Sequence, residues 1–374
     1  MTIDPNCLGL SPSERKQLAS DNCRLAASNP SPRASETDYR RARENMVKIC
    51  IFGAGAIGGH IAGHLARAQH CEVSLVGRGE ALRAIKERGL IVETPEGRFT
   101  THPHATDDPA ALGPQDYVLL TLKAQQLPAS LPQLPSLIGP ATVLLPPTTG
   151  LPAAFLHGLT GTFGDRPLTA VDPDGAQIAT MPPAQTLGIV YWIGAHGIAP
   201  GHVAQDGPKA SCMVGEFNGS QSERVTRLGQ ILTASGIETP VRKDIRSDIW
   251  VKFVNSLVWN PVAVLTEATI GGISGDAEAI GTVRAMMEEA DAVARTLGID
   301  IRVAPEKRIA VTSSAPGHKM SMLQDFQAGR PMEVDALARS IEAVRTLAGV
   351  ETPKIEALLS LIALRSRTSP YQGA

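Results

Sequence analysis

The sequence has little of several features that mark common protein classes. It holds 5 cysteines in 374 residues, an odd number, and they are scattered without CxxC spacing. This pattern argues against a disulfide framework and against a zinc site, and it fits a reducing cytoplasm. The formal net charge is only −2, so the composition gives no sign of nucleic acid or an acidic membrane surface as a partner.

Long apolar stretches are also missing from the sequence. We find no run that approaches the roughly 18 residues a membrane span needs, and the N-terminus lacks the apolar core of a secretion signal. Residues 1–45 are polar and rich in Ser, Asn, Pro and Arg, so we expect a disordered extension. Its acidic residues argue against an organellar transit peptide. Met46 stands directly before the first predicted strand, which leaves open whether the chain naturally starts there.

The chain is organised around a glycine-rich turn. Residues 47–52 are an apolar run typical of a buried parallel strand, and a helical apolar stripe begins at Ile57. Between them lie Gly53, Gly55 and Gly58, in the spacing G-x-G-x-x-G. The first allows a tight turn, the second lets a pyrophosphate approach the backbone, and the third lets the helix pack closely on the strand. The pattern predicts dinucleotide binding at the helix N-terminus; an ordinary glycine-rich turn is the alternative.

The cofactor preference is predicted from the end of the second strand, residues 71–76. An acidic residue about 20 positions after the glycines usually binds the ribose 2′-hydroxyl of NAD, whereas an arginine accommodates the 2′-phosphate of NADP. Arg78 lies 20 residues after Gly58, which favours NADP. Glu80 is close by, and a solvated loop charge is the alternative reading of Arg78.

The remaining pattern divides the chain into two domains. Buried strands are predicted at residues 90–93, 117–122 and 141–145, with Lys123 at the end of the second of these, where open α/β sheets bind ligands. Runs at 187–193, 201–203 and 212–214 suggest antiparallel strands added at one edge. Helical periodicity dominates from about residue 220. We therefore predict an α/β fold: a Rossmann-type NADP-binding domain with extra strands at 46–243, then an all-helical domain at 244–374 for substrate binding or dimerisation.

Two stretches of the helical part carry candidate chemistry. Lys252, Asn255, Ser256 and Asn260 fall near one face of a mostly apolar helix, where a buried ammonium needs compensation. A snorkelling lysine with capping amides is the alternative. Glu333 lies in a loop entering a later helix, where it could balance the charge of the lysine or bind a sugar hydroxyl. Alone, it also reads as a first-turn acid favoured by the helix dipole.

With these residues, the sequence resembles the ketopantoate reductases, or 2-dehydropantoate 2-reductases. The resemblance runs from Met46 to about Leu361. It rests on GAGAIG at 53–58, TLKA at 121–124, Lys252 with Asn-Pro at 260–261, and S-M-L-Q-D followed by G-R-x-x-E-V-D over 321–335. These segments lie far apart in the chain and in the order expected for the family.

The resemblance implies reduction of 2-dehydropantoate by NADPH to (R)-pantoate, on the route to pantothenate and coenzyme A, in the cytoplasm. It makes Lys252 the catalytic lysine, which donates a proton to the ketone oxygen. It makes Glu333 a residue that holds the nicotinamide end of the cofactor and helps to orient the lysine. The implied substrate residues are Thr149, Asn255, Ser256, Asn260 and Ser321. The implied NADP(H) residues are Gly53, Ala54, Gly55, Ala56, Ile57, Gly58, Leu122, Lys123 and Gln126, together with Arg78; no metal is implied.

Two departures from the family pattern bear on the substrate. The family usually has Asn-Gly where this chain has Thr149-Gly150, and it commonly has asparagine at the position of Ser256. A hydroxyl cannot replace the donor and acceptor pair of an amide. Two alternatives therefore stand beside 2-dehydropantoate reduction: reduction of another small 2-oxo acid, and a non-catalytic NADP-binding sensor. The family that the sequence resembles includes dimers, and no residue of the sequence decides for or against a homodimer.

Overall fold

A computed structural model of the chain describes residues 46–368. The predicted disordered extension therefore lies outside the described residues. The first of two sheets has five parallel strands in the order β5-β2-β1-β6-β7. They are β1 (Lys48–Phe52), β2 (Glu72–Val76), β5 (His104–Thr106), β6 (Tyr117–Leu120) and β7 (Val143–Leu145).

Both faces of the parallel sheet are covered, which explains why its strands are apolar at consecutive positions. Helix α1 (Ala56–Ala68) packs on one face, and Ile61 and Leu65 belong to the same core as Ile49 and Ile51. The other face packs on α3 (Leu127–Ser130) and the 3-10 helix Leu131–Leu137. Helix α2 (Gly79–Arg88) follows β2. This is the predicted Rossmann-type arrangement.

The extra strands form a second sheet, with the order β4-β3-β9-β8. Its strands are β3 (Leu90–Thr94), β4 (Gly97–Thr101), β8 (Gly188–Ala199) and β9 (His202–Gly215). The predicted antiparallel pairing is confirmed for β8 and β9. The predicted position at an edge of the first sheet is wrong for β8 and β9, because β8 pairs with β9, and β9 pairs with β3 in a separate sheet. The residue pair Leu144 and Thr186 forms an isolated bridge between β7 and the segment just before β8. The three predicted short runs are parts of two long strands.

The second sheet separates two hydrophobic cores. Along β8, Tyr191 and Ile193 join the core of the first domain, while Val190 and Trp192 pack against the core of the helical domain. Successive side chains of a strand point to opposite faces, so β8 supplies both cores. This position brings a strand of the N-terminal part beside the helices of the C-terminal part.

The C-terminal part is helical, as predicted. After α4 (Ala176–Thr180) and α5 (Glu223–Ala234), the helices are α6 (Ile245–Thr266), α7 (Ile270–Ser274), α8 (Ala277–Leu297), α9 (Pro305–Ser313), α10 (Ser321–Gln327), α11 (Val334–Ala348) and α12 (Pro353–Arg367). The carboxylate of Asp244 accepts from the backbone N–H of Ser247 and caps the start of α6. Because an N-cap fixes where a helix begins, the helical part starts next to the predicted boundary between 243 and 244, which stays a prediction.

Helix α6 is the central element of the helical part. It packs against α8, α10 and α12 and carries the fully buried Trp250, Phe253 and Trp259. With 22 residues and a hydropathy of 1.2 it is long and apolar enough to cross a membrane, which corrects the expectation that no such run exists. Since 72% of the apolar window is buried inside the protein, we interpret α6 as a core helix. One helix of this kind is weak evidence for a membrane span.

Candidate active site

The glycine turn forms a tight cradle with one open side. Gly53 has φ of +130°, and a Cβ on it would lie 3.0 Å from backbone atoms of Thr121. A Cβ on Gly58 would lie 1.9 Å from the carbonyl oxygen of Gly53. The hydroxyl of Thr121 donates to that same carbonyl at 2.9 Å. In the described part of the chain nothing lies within 4 Å of a Cβ on Gly55, so the loop is open where a pyrophosphate would approach.

The other residues of this turn surround the open position. Ala54 is half-buried, and a Cβ on Gly77 at the end of β2 would lie 2.6 Å from the Cβ of Ala54. Ala56 and Ile57 begin α1 and are half-buried. The side chain of Arg78 is exposed where α2 begins, beside the exposed Glu80. The structure therefore brings Arg78 to the same edge of the sheet as the glycine turn, while its contact with a 2′-phosphate stays a prediction.

The segment after β6 joins the nucleotide edge to the helical part. The strand ends at Leu120, so Leu122 and Lys123 lie in the loop beyond it. The backbone N–H of Lys123 donates to the side-chain oxygen of Gln126 at 3.1 Å. The backbone N–H of Ala124 donates to Oε1 of Glu333 at 2.7 Å. Glu333 is thus fixed at the carboxyl end of β6, where dinucleotides bind in open α/β sheets.

The ammonium of Lys123 lies between two buried carboxylates. Its Nζ is 2.7 Å from Oδ2 of Asp325 and 3.3 Å from Oε2 of Glu333. Burial alone would lower the pKa of Lys123, but the two carboxylates together raise it. Arg330 binds the second oxygen of Asp325 at 3.0 Å. Sequence reasoning did not single out Asp325, although it lies within the segment that carries the resemblance.

Lys252 has a different environment from Lys123. It is half-buried on α6, and its Nζ lies 4.8 Å from the centre of the Trp192 ring. Burial lowers the pKa of Lys252, and the charge of Glu333 opposes that shift without an ion-pair contact. Within residues 46–368, the ammonium has no hydrogen-bond or ion-pair partner. Trp192 could not be predicted at this place from the sequence, because strand periodicity does not identify what a strand packs against.

The predicted amides on α6 are already engaged. Asn260 accepts from the backbone N–H of Met322 at 3.1 Å and donates to the carbonyl of Ser256 at 3.0 Å. It thereby fixes the start of α10 against α6. The side-chain oxygen of Asn255 accepts from Thr312 at 3.1 Å, so Asn255 faces α9. The substrate-binding roles of these two residues stay predictions.

The predicted hydroxyls are placed differently. Ser256 is buried, Thr149 is half-buried, and Ser321 is exposed at the first turn of α10. The loop that carries Thr149 packs tightly on the helical part: a Cβ on Gly150 would lie 2.6 Å from the hydroxyl of Ser340 on α11. Thr149 therefore lies at the junction of the two parts of the chain, where a cleft between them is expected to hold ligands.

Comparison with known proteins shows to which family the chain belongs. The model described as Ketopantoate reductase PanE/ApbA matches residues 49–219, and its C-terminal counterpart matches 244–366. A 2-dehydropantoate 2-reductase of Mesorhizobium japonicum is 39% identical over 319 residues, 84% of this chain and 97% of the relative. The chain belongs to the ketopantoate reductase family. The resemblance read from its motifs is therefore confirmed.

Solved structures agree with the fold of a ketopantoate reductase. A protein of Ralstonia solanacearum MolK2, provisionally described as a ketopantoate reductase, is 34% identical with a TM-score of 0.80, over 87% of this chain and 99% of that one. D-mandelate dehydrogenase, solved with NADH and anilino(oxo)acetate, is 22% identical with a TM-score of 0.72, over 86% and 99%. The second likeness shows the fold alone. The fold therefore also occurs in a protein that was solved with NADH.

Proposed function

We propose that this ketopantoate reductase family member reduces 2-dehydropantoate to (R)-pantoate with NADPH, as a cytoplasmic enzyme of pantothenate and coenzyme A synthesis. The observation that carries the proposal is the ammonium of Lys252, which is half-buried and lacks a protein acceptor in the described chain. An unsatisfied cation at such a site is costly unless a ligand completes it. The relatives named 2-dehydropantoate 2-reductases support the substrate.

The dinucleotide would be held by the N-terminal part, which we assign to residues 46–243. The open face at Gly55 and the first turn of α1 fit a pyrophosphate. Arg78 would bind the 2′-phosphate, because an exposed arginine at this position suits NADPH better than NADH. Leu122, Lys123 and Gln126 lie along the carboxyl edge of the sheet, and Glu333 reaches that edge from the helical part, assigned to 244–374.

The protein supplies acid catalysis and orientation. When bound, NADPH supplies the hydride that reduces the carbonyl carbon of the substrate. Lys252, as an ammonium, donates a hydrogen bond to the carbonyl oxygen and then the proton that converts it to the hydroxyl. The lowered pKa of Lys252 brings the acid closer to neutral pH, where a general acid is most effective. Such positioned acid catalysis is worth about 10²–10⁴-fold.

A second candidate keeps the chemistry and changes the substrate to another small 2-oxo acid. Thr149 and Ser256 stand where the family has asparagines, and the side chain of Asn255 is occupied by Thr312. Hydroxyls from Thr149, Ser256 and Ser321 then remain for the polar groups of the substrate. This set offers fewer donors than amides do, which favours a substrate with fewer hydrogen-bonding groups.

The test follows NADPH oxidation with 2-dehydropantoate beside a panel of 2-oxo acids, with NADH in parallel. We expect NADPH-preferring turnover of 2-dehydropantoate and a loss of about 10²–10⁴-fold in kcat for Lys252→Ala. Lys307→Ala, on the exposed face of α9, is the matched control and keeps its activity. Higher kcat/KM for another oxo acid supports the second candidate. Tight NADPH binding with no oxidation of NADPH by any oxo acid supports a sensor instead.

A further inference from the structure

Trp192 meets Lys252 where β8 packs on the helical part. On β8, Trp192 pairs with Ser211 of β9, and the register shifts between Trp192 and Gly194. Trp192 lies on the side of the strand that packs on the helical core, and the centre of its ring is 4.8 Å from Nζ of Lys252. This distance is within the range of a cation–π interaction.

The nearby carboxylates do not form an ion pair with Lys252. Glu333 is the acid whose charge opposes the lowering of the pKa of Lys252. Its two oxygens are bound to the backbone N–H of Ala124 and to the ammonium of Lys123. Asp325 is bound by Lys123 and Arg330. In the described chain, the ammonium of Lys252 therefore interacts with the aromatic ring of Trp192 and with no carboxylate in hydrogen-bonding or ion-pair contact.

We propose that Trp192 is a positioning residue for Lys252. The face of the Trp192 ring holds the ammonium of Lys252 in place and leaves the N–H groups of that ammonium free for the substrate. The proposal rests on the acid role of Lys252 in the proposed function. A carboxylate in the place of the ring would accept the N–H groups and compete with the carbonyl oxygen. An aromatic face attracts the cation through its quadrupole and accepts no proton.

A cation–π interaction favours the protonated form of Lys252. Removal of the ring is therefore expected to lower the pKa of the lysine further and to widen its range of orientations. For a partly buried pair we expect a decrease of about 0.4–1.5 pH units, which corresponds to about a 3–30-fold change in the protonation constant. A role of Trp192 in packing alone would change stability and leave the pKa of Lys252 unaltered or raise it, because loss of the ring exposes the ammonium to water.

The test measures the protonation of Lys252 in the full chain without turnover. Competitive labelling with acetic anhydride across a pH series, read by mass spectrometry at Lys252, gives its pKa. We expect Trp192→Leu to lower that pKa by about 0.4–1.5 units and Trp192→Phe to lower it by less. Tyr191→Leu, the neighbour on the opposite face of β8, is the matched control and leaves the pKa of Lys252 unchanged.

Activity provides a second readout. In Trp192→Leu, the alkaline fall of kcat with 2-dehydropantoate should move to lower pH, and Trp192→Phe should restore part of the range. An unchanged or raised labelling pKa of Lys252 in folded Trp192→Leu overturns the proposal. If that variant does not fold, an unchanged pKa in Trp192→Phe overturns it equally. Because labelling requires no substrate, failure of the proposed function appears separately, as absent turnover in the unsubstituted protein.

Discussion

Nζ of Lys123 and Oδ2 of Asp325 lie 2.7 Å apart although 202 positions separate them in the chain. The lysine follows β6, the fourth strand in the order of the first sheet, and the aspartate belongs to α10. Two further contacts cross the same junction: Gln125 donates to the carbonyl of Pro331 at 3.3 Å, and the backbone N–H of Leu151 donates to Ser340 at 2.9 Å. The edge that would hold the nicotinamide is thus tied to the segment from α10 to α11, and α10 packs on α6, the helix that carries Lys252.

The first prediction concerns this ion pair. Lys123→Met and Asp325→Asn should each lower the free energy of unfolding. Each substitution leaves the remaining charged partner, buried or half-buried, without the opposite charge that compensates it. Members of one ion-pair network typically couple by about 0.5–3 kcal/mol. Urea unfolding of the two single variants and the double variant measures the coupling. Single effects that add within about 0.3 kcal/mol would show that the pair does not connect the two parts energetically.

The second prediction compares two glycines of one loop. Gly58→Ala forces a Cβ to 1.9 Å from the carbonyl of Gly53, and overpacking of this kind costs about 1–3 kcal/mol of stability. Gly55→Ala meets open space in the described chain, so the free energy of unfolding should change by only about 0.5 kcal/mol or less. The added methyl should instead weaken NADPH binding by about tenfold, which is about 1.4 kcal/mol.

Thermal unfolding and calorimetric titration with NADPH separate the two effects. The pair serves as its own control, since both substitutions add the same methyl group. A Gly55→Ala variant that binds NADPH as tightly as the unsubstituted protein would contradict the pyrophosphate site.

Whether a feature of the structure could be predicted from the sequence depends on how far apart in the chain its interacting residues lie. The glycine turn was predictable because Gly53, Gly55 and Gly58 act within one strand-turn-helix unit, whose spacing carries its geometry. The helical part was predictable from its apolar periodicity. The position of Lys252 on a buried helix was also within reach of the sequence.

The contacts of that lysine were not within reach. Periodicity shows that residues near Trp192 form a strand. It does not show that this strand belongs to a second sheet and packs on α6. The pairing of Lys123 with Asp325 and Glu333 is equally a property of tertiary structure, because charged residues carry no signal of which distant charge they meet. Glu333, expected beside Lys252, makes its ion pair with Lys123.

The third prediction concerns cofactor preference. Arg78→Ala should raise KM for NADPH by about tenfold to a hundredfold while leaving KM for NADH nearly unchanged, because only NADPH carries the 2′-phosphate that an arginine binds. Arg83→Ala, exposed further along the same helix α2, is the matched control. Equal changes in KM for both cofactors would place Arg78 outside the 2′-phosphate site.

A pair of histidines on α1 gives the last prediction its basis. The rings of His60 and His64 lie 4.4 Å apart between α1 and the second sheet. Nε2 of His60 donates to Gln205 at 2.8 Å, and Nδ1 of His64 donates to the carbonyl of Ser235 at 3.1 Å. The remaining ring nitrogens, Nδ1 of His60 and Nε2 of His64, are buried and lack partners among the described residues. Protonation would leave new donors unsatisfied at both positions.

This arrangement should make the protein less stable in mild acid. Burial, with a contribution from His64, lowers the pKa of His60 from 6.5 to about 4. The unfolded chain therefore binds the proton more readily than the folded chain, and stability is lost as the pH falls from about 6.5 towards 4. Linkage at 1.36 kcal/mol per pKa unit makes this loss about 3 kcal/mol for His60. Burial also lowers the pKa of His64, and the hydrogen bond to the carbonyl of Ser235 opposes this shift. The charge of Arg67 lowers the pKa of His64 further, whereas the charge of Glu96 raises it.

Urea unfolding at pH 7.5, 6.0 and 5.0 measures this loss. His60→Asn, which cannot take up a proton, should flatten the dependence of the free energy of unfolding on pH, whatever its stability at pH 7.5. His70→Asn replaces an exposed histidine just beyond the same helix and should keep the slope of the unsubstituted protein. Equal slopes in His60→Asn and the unsubstituted protein would mean that the folded protein accommodates a charged His60 as readily as the unfolded chain does. The buried, unpartnered Nδ1 argues against that state, since a charged imidazole requires donors to be satisfied on both nitrogens.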